Sequence, residues 1–486
     1  MDPNETTSID NRPDATGYPR QLLARASRSA VAWSFIATAL RFGSAAFVLP
    51  LVLRRVPPEE LGLWYVFLSL GSLASLLDLG FAPTVIRCAA YLWAGAQKLL
   101  PWGIHSANAE DSSESRGPNL PLLSDLVASL RTYYLTTAIA VFILLAFGGG
   151  AWIWYKSEAL VDRQSLRAAF IIYAVGVSLN FANSIWIYLL SAINAVRQSQ
   201  QITVICLAAY YLIVVAGLLG GLKLWALVIG TIAMGLLERL IGRSVFTRLA
   251  PLPRGTFRLE MISVLWPNAW RTGAVSFGAF LIVQANTLIC SAFLDLKTVA
   301  SYGLTLQAVT LLVGVSSVWV TVKWPMINRL RAQARLSEIA LLFANRLRLT
   351  LLTFLVGATA LVASGPTLLT LIRTQTHFLP NAVLVALLVV QLLEMHHSLY
   401  GGLVYSENVN PFLKPALISG AAIVALSLVL VPRYGLWGAV VSAGSVQLCF
   451  NNWWPVVRAL RGLGNASKTY WHGFFRWRFS PIASKL

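Results

Sequence analysis

Twelve stretches of roughly twenty mostly apolar residues follow one another along the chain, and they constrain its fold more than any other feature. They lie near 31–53, 61–83, 126–148, 166–190, 202–221, 224–242, 265–293, 300–323, 346–371, 382–403, 413–431 and 436–457. A helical crossing of the hydrocarbon core needs about 20 such residues, and a helix satisfies all its backbone groups internally. The composition agrees, with 57% hydrophobic and only 12% charged residues. The spacing predicts an all-α polytopic membrane protein of about twelve transmembrane helices. A net charge of +19 in a soluble protein would suggest a nucleic-acid partner. Here the basic residues are dispersed among the loops, so membrane orientation explains them and no nucleic acid is expected.

An even number of spans leaves both termini on one side. Placing them inside puts Arg20, Arg25, Arg197, Arg243, Arg248, Arg254, Arg258, Arg329, Arg331, Arg335 and the tail beyond Arg458 in the cytoplasm. Far fewer cations remain for the external turns, among them Arg54, Arg55, Lys156 and Lys297. Residues 1–29 are polar and carry no apolar signal region, so they read as a cytoplasmic tail. The expected organisation is a first lobe over 30–245 with a disordered loop at 98–125, a basic linker at 246–262, a second lobe over 263–460 and a basic aromatic tail at 461–486. Trp471 to Arg478 in that tail reads as a segment lying on anionic lipid. The longest external loop is expected near 149–165.

The two halves look like repeats. Val56-Pro-Pro-Glu-Glu-Leu-Gly-Leu-Trp-Tyr precedes the second span as Leu294-Asp-Leu-Lys-Thr-Val-Ala-Ser-Tyr-Gly precedes the eighth, an offset of 238 (299 less 61). Leu224-Trp-Ala-Leu-Val opens the sixth span as Leu436-Trp-Gly-Ala-Val opens the twelfth, an offset of 212 (436 less 224). An even span count per half makes the repeats parallel, related by an axis along the membrane normal.

Ionisable and strongly polar residues inside spans are costly in lipid and are the functional candidates. Arg41 lies near the middle of the first span and shares a helix face with Ser34, Thr38 and Ser44. Arg271 lies about 9 Å into the seventh span, one turn after Asn268. Two guanidiniums facing one another would hold phosphate or diphosphate bidentately; alternatively each snorkels or pairs with a neighbouring carboxylate. Asn180, Asn183, Asn268 and Gln284 are candidates for sugar contacts. Asp78, on a face with Ser72 and Ser75, is expected as a counter-ion for Arg41 or Arg271 or as a coupling site. Gln391, Glu394 and His397 share a face of the tenth span, where a carboxylate beside an imidazole suits a proton relay. Cys88, Cys206, Cys290 and Cys449 stand singly, so no metal site, disulfide framework or cofactor is indicated. No HExxH, GxSxG or paired-carboxylate motif argues for an enzyme.

Leu61-Gly-Leu-Trp-Tyr-Val-Phe-Leu-Ser-Leu, followed by Leu76-Leu-Asp-Leu-Gly-Phe, resembles the N-terminal signature of polysaccharide-transport proteins. These belong to the multidrug/oligosaccharidyl-lipid/polysaccharide (MOP) exporter superfamily. The resemblance implies two six-helix lobes around a central cavity. It implies flipping of polyprenyl-diphosphate-linked oligosaccharide to the outer leaflet of a bacterial inner membrane by alternating access, not catalysis. A polysaccharide polymerase and glycosyltransferases are the implied protein partners, and membrane lipids surround the protein. Arg41 and the absence of an acid in the first span depart from the drug-efflux branch and favour an anionic substrate. The rivals are a cation-coupled multidrug exporter of the same fold, a polytopic enzyme of glycan assembly, and a non-transporting scaffold.

Overall fold

All twelve apolar segments are helical in the computed structural model, which describes residues 30–78, 80–99, 117–158, 160–407 and 409–475. Ser44, Ser75 and Asn268 lie within helices, but their side chains are outside the described part, as are residues 1–29 and most of the loop expected at 98–125. Among the described residues nine helices are long and apolar enough to cross a membrane, and the chain is an all-α polytopic membrane protein.

The first half runs α1 (Ala30–Arg55), α2 (Pro58–Gly71), α3 (Leu73–Leu77), α4 (Phe81–Trp93) and α5 (Leu120–Ile143). A π-type turn continues α5 into α6 (Gly150–Lys156), and α7 (Arg163–Ala192), α8 (Val196–Leu219), α9 (Leu224–Leu237) and α10 (Arg243–Leu249) follow. The second half runs α11 (Leu259–Val283), α12 (Ala285–Phe293), α13 (Leu296–Thr321), α14 (Trp324–Ala332), α15 (Leu336–Ile372) and α16 (Asn381–Tyr405). It closes with α17 (Leu413–Tyr434), α18 (Leu436–Cys449), α19 (Trp454–Gly462) and α20 (Ser467–Phe475). We call the end at which α1 starts the tail end and the opposite one the far end.

Several local expectations are corrected. The second span is not continuous: it breaks after Gly71 and again at Asp78–Gly80, where Gly80 takes φ +71, a conformation that costs an L side chain. The twelfth is interrupted between Cys449 and Trp454. The loop expected at 149–165 shrinks to a short connection after Lys156, because α6 continues α5 through that region. Residues 117–125, expected within a disordered loop, instead start α5: Asn119 caps it by accepting from Leu122 N at 3.2 Å. Of the segment expected on anionic lipid, residues 471–475 end the final helix and 476–478 lie outside the described part. α20 packs on α15, with Tyr470 buried and hydrogen-bonded to Tyr400, while Trp471 and Phe475 stay exposed.

Buried apolar side chains form two cores. One is centred on Phe67, Phe81, Tyr134 and Phe170 of the first half, the other on Phe343, Leu347, Leu384 and Leu403 of the second. α11 joins them. Leu265 and Ala269 in its first half are fully buried in the first core. Further along, Gly278 lies against Ala416 of α17, so closely that a Cβ there would stand 2.5 Å from the Ala416 carbonyl carbon. Pro267, inside α11, removes a backbone donor near this crossover.

At the far end the halves meet through α2 and α13. Glu59 pairs with Lys297 at 3.2 Å, and Tyr65 Oη donates to Gln307 Oε1 at 2.7 Å. A Cβ at Gly62 would lie 2.0 Å from the Leu296 carbonyl oxygen and 3.3 Å from Ala300 N, and one at Gly303 would enter the Tyr65 ring. Glu59 and Lys297, Gly62 and Ala300, and Tyr65 and Gly303 are all separated by 238 positions (297 less 59, 300 less 62, 303 less 65). That is the offset of the sequence repeat, so each residue touches its own repeat mate and a pseudo-two-fold axis runs through this seam. Further links lie beside it. Lys156 Nζ donates to Ala292 O at 2.8 Å, Trp152 Nε1 to Ser291 Oγ at 3.2 Å, and Thr374 Oγ1 to Leu53 O at 2.8 Å.

Candidate functional site

Arg271 sits where α11 leaves one core for the other, between buried Ala269 and the Gly278–Ala416 contact. Its side chain is exposed, with the guanidinium carbon 5.7 Å from the centroid of the Trp270 ring. Against the same turn of α11 lies the elbow between α3 and α4: a Cβ at Gly80 would meet Thr272 Cβ at 2.4 Å and Ala269 O at 2.8 Å. Only glycine allows this approach, so the elbow fixes the turn that carries Arg271. Arg41 is also exposed, in the middle of α1. Thr38, one turn before it, bonds back to Ser34 O at 2.9 Å, which leaves the face polar but locally satisfied.

Asp78 takes a different role from the expected counter-ion. Its Oδ1 accepts from Tyr134 Oη at 2.7 Å and its Oδ2 from Ala82 N at 3.1 Å, so the carboxylate caps the start of α4. Tyr133, Tyr134 and Tyr188 gather around it, with the Tyr133 and Tyr134 ring centroids 5.4 Å apart and those of Tyr134 and Tyr188 6.3 Å apart. Glu238 is a further acid of the first lobe. Glu238 did not emerge from the sequence because it falls in the last turns of an expected span, where an acid reads as a boundary residue. It stands in a π-type turn, Glu238–Gly242, and such turns are frequent at functional sites.

Asn180 and Asn183 are not placed beside Arg271. Asn180 Nδ2 donates to Gly176 O at 2.8 Å and Thr231 O at 2.9 Å, and Asn183 Nδ2 donates to Gly235 O at 3.1 Å. Both amides tie α7 to α9 inside the first lobe. Gln284 forms the break between α11 and α12, its backbone N donating to Phe280 O at 2.8 Å. The side chain of Asn268 lies outside the described residues.

The second lobe contains a polar cluster around Glu394. Its Oε1 lies 3.5 Å from His397 Nε2, and its Oε2 accepts from Gln447 Nε2 at 2.6 Å. His397 Nδ1 is 3.0 Å from Asn452 Oδ1 and 3.1 Å from Leu393 O. Asn451 donates to the Gln447 carbonyl, which orients that amide toward Glu394. Gln391, Glu394 and Gln447 line a small cavity of about 50 Å³ that also touches Asn286. The Gln447, Asn451 and Asn452 members come from the interrupted twelfth segment, whose break brings two asparagines back toward α16. Replacing Gln447 with leucine strands a carboxylate oxygen, so the thermal transition of the purified protein should fall by an amount equivalent to about 1–3 kcal/mol. Among the described residues no group of three or more His, Cys, Asp and Glu side chains is placed to hold a metal ion.

The arrangement of lobes is shared with solved transporters. At 11% sequence identity, an inward-facing multidrug resistance MATE family transporter of the MOP superfamily superposes with a TM-score of 0.62, covering 88% of this chain and 95% of its own. The lipid II flippase MurJ in an inward closed conformation, also 11% identical, gives 0.60 and covers 91% of each chain. The fold is that of the MOP superfamily transporters. A further MOP superfamily transporter, from Pyrococcus furiosus and described by the reverse polarity of its binding pocket, gives 0.53 at 11% identity, over 92% of this chain and 96% of its own. No protein-family model and no curated protein matches the sequence. In this chain α11, which passes from one core to the other, carries Arg271 at the passage.

Proposed function

We propose that the protein flips a polyprenyl-diphosphate-linked oligosaccharide across a bacterial inner membrane by alternating access, for cell-surface polysaccharide assembly. The observation that carries this reading is the exposed Arg271 at the crossover of α11, together with the exposed Arg41 at mid-span of α1. Guanidiniums inside a span are costly in lipid and mark substrate pathways by default. A diphosphate satisfies them bidentately, and a polar cavity replaces the hydration a sugar cannot shed in about 30 Å of hydrocarbon. Both termini lie in the cytoplasm in this reading, so the tail end receives the substrate and the far-end seam is closed. With an inside-negative potential, each negative charge carried outward gains about 2.3 kcal/mol per 100 mV if it crosses the full field. A polysaccharide polymerase and glycosyltransferases are the expected partners.

The test is reconstitution. Liposomes carrying fluorescent polyprenyl-diphosphate oligosaccharide should show protein-dependent access of the sugar to an external lectin. No acceleration over empty liposomes would reject the reading.

A second reading has one specific observation in its favour. Asp78 stands inside the first lobe bonded to Tyr134, with Tyr133 and Tyr188 packed on that ring, which suits a coupling cation in a multidrug exporter. It predicts extrusion of cationic dye driven by a sodium or proton gradient, and Asp78→Asn should abolish the coupling.

A further inference from the structure

A groove on the tail-end flank of the first lobe concentrates positive charge, and no carboxylate is among the described residues that line it. Arg131 of α5, Arg239 of the π-type turn and Arg243 of α10 line it, with Trp186 of α7 between them. Its volume is about 420 Å³. The three arginines are exposed, and none makes an ion pair or side-chain hydrogen bond among the described residues. The nearby acid is already taken. Asp125 accepts from Thr256 N at 2.8 Å and pairs with Arg258 Nε, also at 2.8 Å.

The linker between the lobes forms one wall. Arg258 N donates to Ser129 Oγ at 2.9 Å, and Gly255 lies flat on α5, where a Cβ would be 2.0 Å from Ser124 O. The linker is therefore fastened along the groove rather than loose. On the rim, Leu135 and Phe257 present large apolar surfaces, 56% and 52% exposed. Depth places the cations at a membrane boundary. Counted from Leu224 at the far end, Arg239 and Arg243 lie about 22 and 28 Å along the helix, against a hydrocarbon thickness of about 30 Å. Guanidiniums near the boundary, with a third facing the same groove from α5, beside apolar rim residues match a phosphate with acyl chains attached.

We propose that this groove binds the phosphate of an anionic bilayer lipid, whose headgroup joins the linker to the first lobe. The three arginines grip the phosphate oxygens, Trp186 packs against the glycerol region and the chains leave past Leu135 and Phe257. The site is separate from the crossover of α11 and does not depend on the transported molecule.

Native mass spectrometry of the full-length protein in detergent provides the test, with dioctanoyl phosphatidylglycerol, dioctanoyl phosphatidylcholine and inorganic phosphate as probes. The wild type should retain phosphatidylglycerol in preference to phosphatidylcholine. The triple variant R131Q/R239Q/R243Q should bind it about tenfold more weakly or worse, while R131K/R239K/R243K keeps most of the binding and shows that the charge is what matters. Arg461→Gln, an exposed cation away from the groove, should bind as the wild type does. Equal phosphatidylglycerol binding by the wild type and the triple glutamine variant would overturn the site. Displacement of the lipid by inorganic phosphate at equal concentration would overturn the lipid assignment in favour of a soluble anion.

Discussion

Replacing Gly62 with valine is expected to force the far-end seam open. The added Cβ would start 2.0 Å from the Leu296 carbonyl oxygen, and ordinary contact begins near 3.4 Å. The obstacle is backbone, so no side chain can rotate out of the way. α2 must retreat from α13 by roughly the missing 1.4 Å, and the two γ-carbons of valine widen the gap further. The retreat stretches the Tyr65–Gln307 hydrogen bond and the Glu59–Lys297 pair, which together are worth only about 1–2 kcal/mol. Separation of the lobes is therefore cheaper than compressing the contact. Spin labels at Val161 and Tyr434, exposed positions near the far end of each half, should report a longer distance in the variant. Gly148→Ala, where nothing lies within 4 Å, should leave the distance unchanged. An identical distance distribution for Gly62→Val would mean that the seam is not what holds the far end shut.

Arg41→Ala and Arg271→Ala should each slow translocation of lipid-linked oligosaccharide by about tenfold to a hundredfold, the loss expected when a charged hydrogen bond worth about 1.5–3 kcal/mol disappears. The thermal transition should move little, because both side chains are exposed. Lysine at either position should restore part of the rate, since it keeps the charge but not the fork of donors. The measurement is initial rate in liposomes, with protein orientation and amount equalised. Full activity in both alanine variants would remove the two arginines from the mechanism, whatever the substrate.

The sequence made the helices legible because apolar runs of about 20 residues admit few alternatives. The repeat was legible too, since the 238-residue offset between Glu59 and Lys297 survives as a physical contact. Partnerships were much less so. Asp78 looked like a counter-ion because the second span was taken as one continuous helix. The break at Gly80 turns its carboxylate toward Tyr134 and Ala82 instead. Asn180 and Asn183 looked like cavity residues because periodicity gives a face and not the neighbour that covers it. Their amides are used between α7 and α9. Arg243 was counted only toward orientation, and its convergence with Arg131 and Arg239 depends on how the π-type turn and linker fold back.

The self-matching seam carries a historical consequence. In a symmetric dimer of two identical half-length chains, the position now held by Glu59 would face a copy of itself, and like charges would repel across the axis. An opposite-sign couple there requires that the two copies diverged after duplication. The same holds for a bulky Tyr65 opposite a small Gly303. Lock and key at this joint are thus products of divergence between the two copies, and exchanging them as Glu59→Lys with Lys297→Glu would preserve the joint where either change alone would not.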